Sequence, residues 1–266
     1  MNWSRTAQYV SDILALLLII RLAAIRVRLP GVYRVFVAFL VFQLFDSLTG
    51  LALYAFDLSL DYRLLWMPLQ AISWVLSLWM VYALLSEILK SLPGILRFSR
   101  VALNVIFTLA IVLALLTVVP EYSAAGGARF TDPIDRVLIA VFVLNRAVAM
   151  AALLVLACIL AFILWFPVEM RRNLAIFSVG LVAYFAVKVA LLLARSYLSH
   201  ESTRLLSTTM AFVVAGCFAY WIVFITQQGQ AVQVRWGHSW HLNEQTRLMN
   251  QLESMNTALL RAAARR

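Results

Sequence analysis

The chain has 266 residues, 64% of them hydrophobic and 13% charged, whereas a soluble domain is about half apolar and about a quarter charged. That excludes an ordinary water-soluble globule and points to a membrane protein whose apolar runs fill nearly the whole length. The net charge of +10 does not make a nucleic-acid surface. Its arginines lie in short connections and the tail rather than in one patch, and such a bias reports membrane topology.

A spanning helix needs about 20 mostly apolar residues, and seven stretches meet that length: 7–25, 32–56, 64–89, 96–119, 134–166, 174–198 and 205–227. The first is a poor signal peptide, because Asp12 precedes its core and Arg21 follows only eight apolar residues; a retained span that also targets the chain is expected. The fifth is long enough to tilt or to extend beyond the bilayer. The six prolines are expected outside the helix interiors, with Pro68 and Pro133 near helix starts and Pro30, Pro93, Pro120 and Pro167 after helix ends, since proline breaks the hydrogen-bond ladder of an interior.

The connections after spans one, three and five, with the tail, carry thirteen cations, and the opposite face carries six. The positive-inside rule then places the N-terminus outside and the C-terminus in the cytoplasm, in the inner (plasma) membrane of a cell. Trp3, Trp66, Trp165, Trp221 and Trp236 fall near span ends, as an aromatic belt should. Trp74 and Trp79 lie deeper and are expected in helix packing. Asn104, on the fourth span, is a polar group that packing can satisfy.

Three charges lie well inside spans: Asp46, Arg146 and Lys188. Each is roughly 15 Å from the outer end of its helix at the α-helical rise. A guanidinium at such depth costs roughly 2.5–3.5 kcal/mol on insertion scales, so partners are required. The expectation is one polar layer in which Asp46 pairs with Arg146 or Lys188 and one cation is left over. Gln43 lies one turn before Asp46, Asn145 precedes Arg146, and Tyr184 lies one turn before Lys188. Gln70, Ser73 and Ser77 form a stripe at helical spacing that faces inward or onto a neighbouring helix. The layer reads either as a neutralised network that fixes helix order, or as a pocket whose spare cation receives an anionic or polar ligand.

After the seventh span, residues 239–265 read as an amphipathic helix, with Leu248, Met249, Leu252, Met255, Leu259 and Leu260 on one broad face. Such a face suits lipid headgroups, a cytoplasmic protein partner or self-association, with Asn256 falling where a coiled-coil seam would carry leucine. The expected architecture is all-α: a seven-helix transmembrane domain over residues 1–228 and a cytoplasmic helical tail over 229–266. The cysteines, Cys158 and Cys217, sit in apolar spans with no metal spacing. His238 and His241 lack further ligands nearby, and no nucleophile elbow, Walker loop or zinc-protease helix is present. The residues therefore imply no cofactor and lean away from an enzyme.

Seven spans with an outside N-terminus invite comparison with retinal proteins, but the last span has no Schiff-base lysine; Lys188 is in the sixth. The segment Asn145-Arg146-Ala147-Val148-Ala149 resembles the Glu-Arg-Ser-x-Arg segment in the fifth helix of uncharacterised bacterial seven-helix membrane proteins. It keeps one arginine and lacks the glutamate and the second arginine. That resemblance implies a seven-helix bundle and no assigned activity. Two functions follow from the residues: a sensor or scaffold with a polar site around Arg146, or a small transporter or channel with a path through Asp46, Arg146 and Lys188. The mostly Ala, Leu, Val and Phe inner halves of spans five to seven favour the former.

Overall fold

The computed structural model describes residues 3–24, 31–55, 62–124, 133–166, 169–197, 202–235 and 242–264. In chain order these form α1 (Trp3–Ala24), α2 (Gly31–Ala55), α3 (Tyr62–Ile88), α4 (Pro93–Ala124), α5 (Pro133–Trp165), β1 (Glu169–Arg171), α6 (Arg172–Tyr197), α7 (Ser202–Phe224), α8 (Gln228–Ala231), β2 (Gln233–Arg235) and α9 (Leu242–Ala264). The helix is the one conformation in which an isolated apolar segment satisfies all its own backbone groups. Seven of these helices, α1 to α7, are long and apolar enough to cross a membrane.

The prolines follow expectation only in part. Pro93 and Pro133 open α4 and α5, where a missing N–H costs nothing. Pro68 lies inside α3, and α4 continues through Pro120 to Ala124. Hydropathy marks where a chain becomes apolar, whereas these two helices run on into more polar turns, so both prolines end up within helices. Spanning helices tolerate such interruptions.

Six helices close a ring: α1 packs on α2, α2 on α3, α3 on α5, α5 on α6, α6 on α7 and α7 on α1. The fourth spanning helix, α4, lies outside this ring against α5 and meets α3 only thinly. At one end of the bundle, here the hairpin end, β1 and β2 pair antiparallel, with Glu169 opposite Arg235, Met170 opposite Val234 and Arg171 opposite Gln233. This pair was not expected in an all-α chain. Three-residue strands leave no periodic signal, and their pairing spans all of α6 and α7. The same end holds the C-terminus of α7: Arg21 donates from Nε and Nη2 to the Ile225 carbonyl at 3.2 Å. Asn173 donates to the Thr226 carbonyl at 2.6 Å and accepts from its N–H. A cation and an amide thus meet the carbonyls a helix end leaves unpaired.

Above that clasp lies an aromatic core. Phe36 of α2 stands edge-on to Phe177 of α6 and to Trp221 of α7, each with centroids 4.8 Å apart. Phe177 and Trp221 meet at 5.6 Å. All three rings are at most 2% exposed. Trp221 is therefore a core residue rather than part of an interfacial belt, because α8 and the strand pair extend the chain beyond the end of α7. Trp165 is exposed at the end of α5, while Trp3, Trp66 and Trp236 lie outside the residues whose side chains are described. Trp79 is exposed instead of packed between helices, and so is Asn104.

The last helix, α9, packs on α4. Asn256 Oδ1 accepts hydrogen bonds from the N–H groups of Gly94 (2.7 Å) and Ile95 (3.3 Å), so a residue from the tail serves as the N-cap of another helix. A Cβ at Gly94 would overlap the Asn256 carbonyl. Leu252 is buried, but Met249 and Met255 are exposed. The docked face is thus a narrow stripe through positions 252, 256 and 260 rather than one broad apolar face, and the asparagine that spoils a leucine seam is its polar anchor.

A Cβ at Gly180 would overlap the Trp221 indole, whereas one at Gly216 would meet nothing within 4 Å. Gly180→Leu is expected to cost about 1–3 kcal/mol by overpacking, while Gly216→Ala should be neutral or gain up to about 1 kcal/mol from helix propensity. Thermal unfolding of the two purified variants checks the contrast.

Candidate functional site

In the half of the bundle away from the hairpin end, polar side chains meet in two places. The first joins α3 and α5. Asn145, 7% exposed, accepts at Oδ1 from Gln70 Nε2 and from Trp74 Nε1, both at 3.1 Å. Gln70 and Trp74 are one helical turn apart, so they present two donors to one carbonyl across the helix pair. The stripe they belong to turns inward, with Ser73 and Ser77 buried on the same face. Ser77 Oγ is buried without a hydrogen-bond partner.

The second cluster joins α1 and α2. Ser47 Oγ donates to Asp12 Oδ2 at 2.6 Å. Gln8 Nε2 reaches both Asp12 Oδ1 and Ser47 Oγ at 3.4 Å. Antiparallel packing brings these residues level. Asp12 lies roughly 14 Å along α1 from its start and Ser47 roughly 12 Å from the end of α2, at 1.5 Å per residue. Asp12, Gln8, Ser47 and Trp74 were all missed as members of a polar site. The depth criterion that selected Asp46 applies equally to Asp12, and its position in the first span concealed it.

The expected charge layer is only partly assembled. Asn145 and Gln70 are brought together, with Arg146 half-buried beside them on α5. Lys188 is half-buried and places Nζ 5.9 Å from the centroid of the Tyr184 ring. Tyr184 itself is buried and stands edge-on to Phe39 of α2 at 6.4 Å. Asp46 is half-buried, with Oδ1 enclosed and without a hydrogen-bond partner. Gln43 is half-buried one turn earlier. Among the described residues Asp46 forms no ion pair with Arg146 or Lys188, contrary to the expected pairing.

Asp46 is on α2, which packs on α1 and α3, whereas Lys188 is on α6, which packs on α5 and α7, and the lysine folds back over its own tyrosine ring as a cation–π pair.

The fold defines the class: an all-α bundle with seven helices fit to cross a membrane, as a multi-pass integral membrane protein has. No family model, curated protein or solved structure matches the chain. The likeness of the Asn145-Arg146 segment to seven-helix bacterial proteins gains no support from those comparisons.

Removing the shared acceptor tests the α3–α5 cluster. Asn145→Leu leaves the Gln70 amide and the Trp74 indole N–H without their acceptor, and about 1–2 kcal/mol of destabilisation is expected, the upper range for hydrogen bonds between membrane helices. Trp74→Phe deletes one donor and should cost less. Equal melting temperatures for Asn145→Leu and the parent would show that the convergence carries no stability.

Proposed function

We propose that this protein is a non-enzymatic sensor or scaffold of the plasma membrane. Its N-terminus is outside, its tail is cytoplasmic, and a polar ligand site lies in the outer half of the bundle. One observation carries the reading: packed aromatic rings fill the bundle between the outer polar clusters and the hairpin end. Phe36, Phe177 and Trp221 are each at most 2% exposed, and a dry, close-packed interior offers no stepping stones to an ion.

The groups best suited to a ligand are those that the fold leaves incompletely satisfied. Lys188 has the Tyr184 ring as its contact, and Asp46 keeps an enclosed Oδ1 without a donor. An enclosed acceptor without a donor costs about 1–3 kcal/mol, so a small anionic or polar molecule that supplied donors to Asp46 and acceptors to Lys188 would be stabilised there. In this reading Arg146, Asn145, Gln43, Gln70, Ser73 and Tyr184 complete the proposed site. The tail is the output element. Its helix is held on α4 through Asn256 and leaves Met249 and Met255 exposed for a cytoplasmic protein or a second copy. The alternative, a small transporter or channel through Asp46, Arg146 and Lys188, requires the aromatic core to open.

Reconstitution decides between them. Liposomes containing the full chain are expected to hold proton and potassium gradients as well as protein-free liposomes do. Small molecules released on denaturing the purified protein should include a polar species that Lys188→Met or Asp46→Asn no longer retains. A flux that disappears in Asp46→Asn would establish the transporter instead. An unchanged set of co-purifying proteins after deletion of residues 239–266 would remove the tail's proposed output role.

A further inference from the structure

Because α4 stands outside the ring and meets α3 only thinly, a cleft of about 280 Å³ remains between α3, α4 and α5 near the hairpin end. Its walls are almost wholly apolar, with Leu85 and Ile88 from α3, Phe98 and Leu103 from α4, and Cys158 and Phe162 from α5. Phe98 is 60% exposed and Cys158 is exposed as well, so the cleft opens sideways on the surface that the spanning helices present to lipid. An engineered apolar cavity of about 150 Å³ stays dry and takes up benzene. A cleft nearly twice that size, bordered by hydrocarbon, takes a chain rather than water.

Cations stand at its polar end. Lys90, in the turn between α3 and α4, and Arg97, in the first turns of α4, are exposed. Arg100 follows Ser99 of the cleft wall and reaches across to α3. There its Nη2 donates to Ser86 Oγ at 3.3 Å and its guanidinium lies 5.1 Å from the centroid of the Tyr82 ring. Its Nε is buried with no acceptor. The nearest acid along the chain is Glu87, and Glu253 lies one turn before the Asn256 that caps α4, so Lys90, Arg97 and Arg100 outnumber the acids on these segments. A phosphate forms charge-assisted hydrogen bonds with guanidinium and ammonium groups, and a basic cluster at a helix end is the usual recognition element for an anionic headgroup.

We propose that this cleft binds an anionic phospholipid, with one acyl chain between α3, α4 and α5 and the phosphate held by Arg97, Arg100 and Lys90. The site is separate from the polar clusters in the other half of the bundle. It rests on the seven helices crossing a membrane and is independent of which face is cytoplasmic.

The full chain, reconstituted in phosphatidylcholine vesicles doped with phosphatidylglycerol carrying a mid-chain diazirine, is irradiated and digested, and the cross-linked peptides are mapped. Cross-links are expected to concentrate on the α3, α4 and α5 residues that line the cleft, above the level of other lipid-facing positions such as Leu205 and Val137. Ala102→Trp or Cys158→Phe, either of which fills the cleft, should reduce them to that level. A diazirine phosphatidylcholine should label the cleft less, and Arg97→Gln with Lys90→Gln should lower the preference for phosphatidylglycerol by about fivefold per cation, the equivalent of about 1 kcal/mol each. Equal labelling by the two lipids, or cleft labelling no higher than the surrounding surface, would overturn the site. Failure of the chain to insert would overturn the membrane-spanning reading along with it.

Discussion

Trp221 of α7 lies flush against Gly180 of α6, with the edge of Phe36 and the tilted ring of Phe177 packed around it. The rest of the bundle is built outward from that contact. It requires a residue without a Cβ at one position, it joins helices from both ends of the sequence, and it fills the interior between the outer polar clusters and the clasp at the end of α7. Aromatic pairs at such distances contribute about 0.5–1.5 kcal/mol beyond the area they bury. In lipid, where apolar burial between helices gives little driving force, close packing of this kind and interhelical hydrogen bonds carry the association.

The polar chemistry is arranged around this dry centre. Towards the hairpin end, Arg21 and Asn173 satisfy the carbonyls at the end of α7, and Asn256 satisfies the N–H groups at the start of α4. These contacts join chain segments far apart in sequence through unpaired backbone groups at helix ends. Towards the other end, Asn145 and Asp12 gather side-chain donors between helix pairs. The two sets serve different ends. The first fastens helix termini, while the second places hydrogen-bonding groups at depths where an unsatisfied one is costly.

Much of this was legible in the sequence. The number of spanning helices and their approximate limits follow from hydropathy alone, because in a bilayer length and apolarity decide. The inward turn of the Gln70, Ser73 and Ser77 stripe follows from helical spacing. What sequence cannot supply is helix order in space. Asp46, Arg146 and Lys188 share a nominal depth, but depth along separate helices says nothing of azimuth or of which helices are neighbours, and α2 and α6 are not neighbours in the ring. Trp221 reads as interfacial by position until a strand pair and a short helix cover the end of α7. Asn256 reads as a flaw in a leucine stripe until α4 is beside it. Each of these depends on a contact between distant parts of the chain.

Water accessibility from each side of the membrane tests the central claim, that polar sites in one half are closed off from the hairpin end by the aromatic core. In a background with Cys158 and Cys217 replaced, single cysteines at Asp46, Gln70, Phe36 and Phe177 are exposed to a membrane-impermeant thiol reagent on either face of oriented vesicles. Modification of the first two from the face opposite the strand pair alone, and of the last two from neither face, is the predicted result. Modification of any of the four from both faces would mean that a continuous aqueous path crosses the bundle, and the account would be wrong.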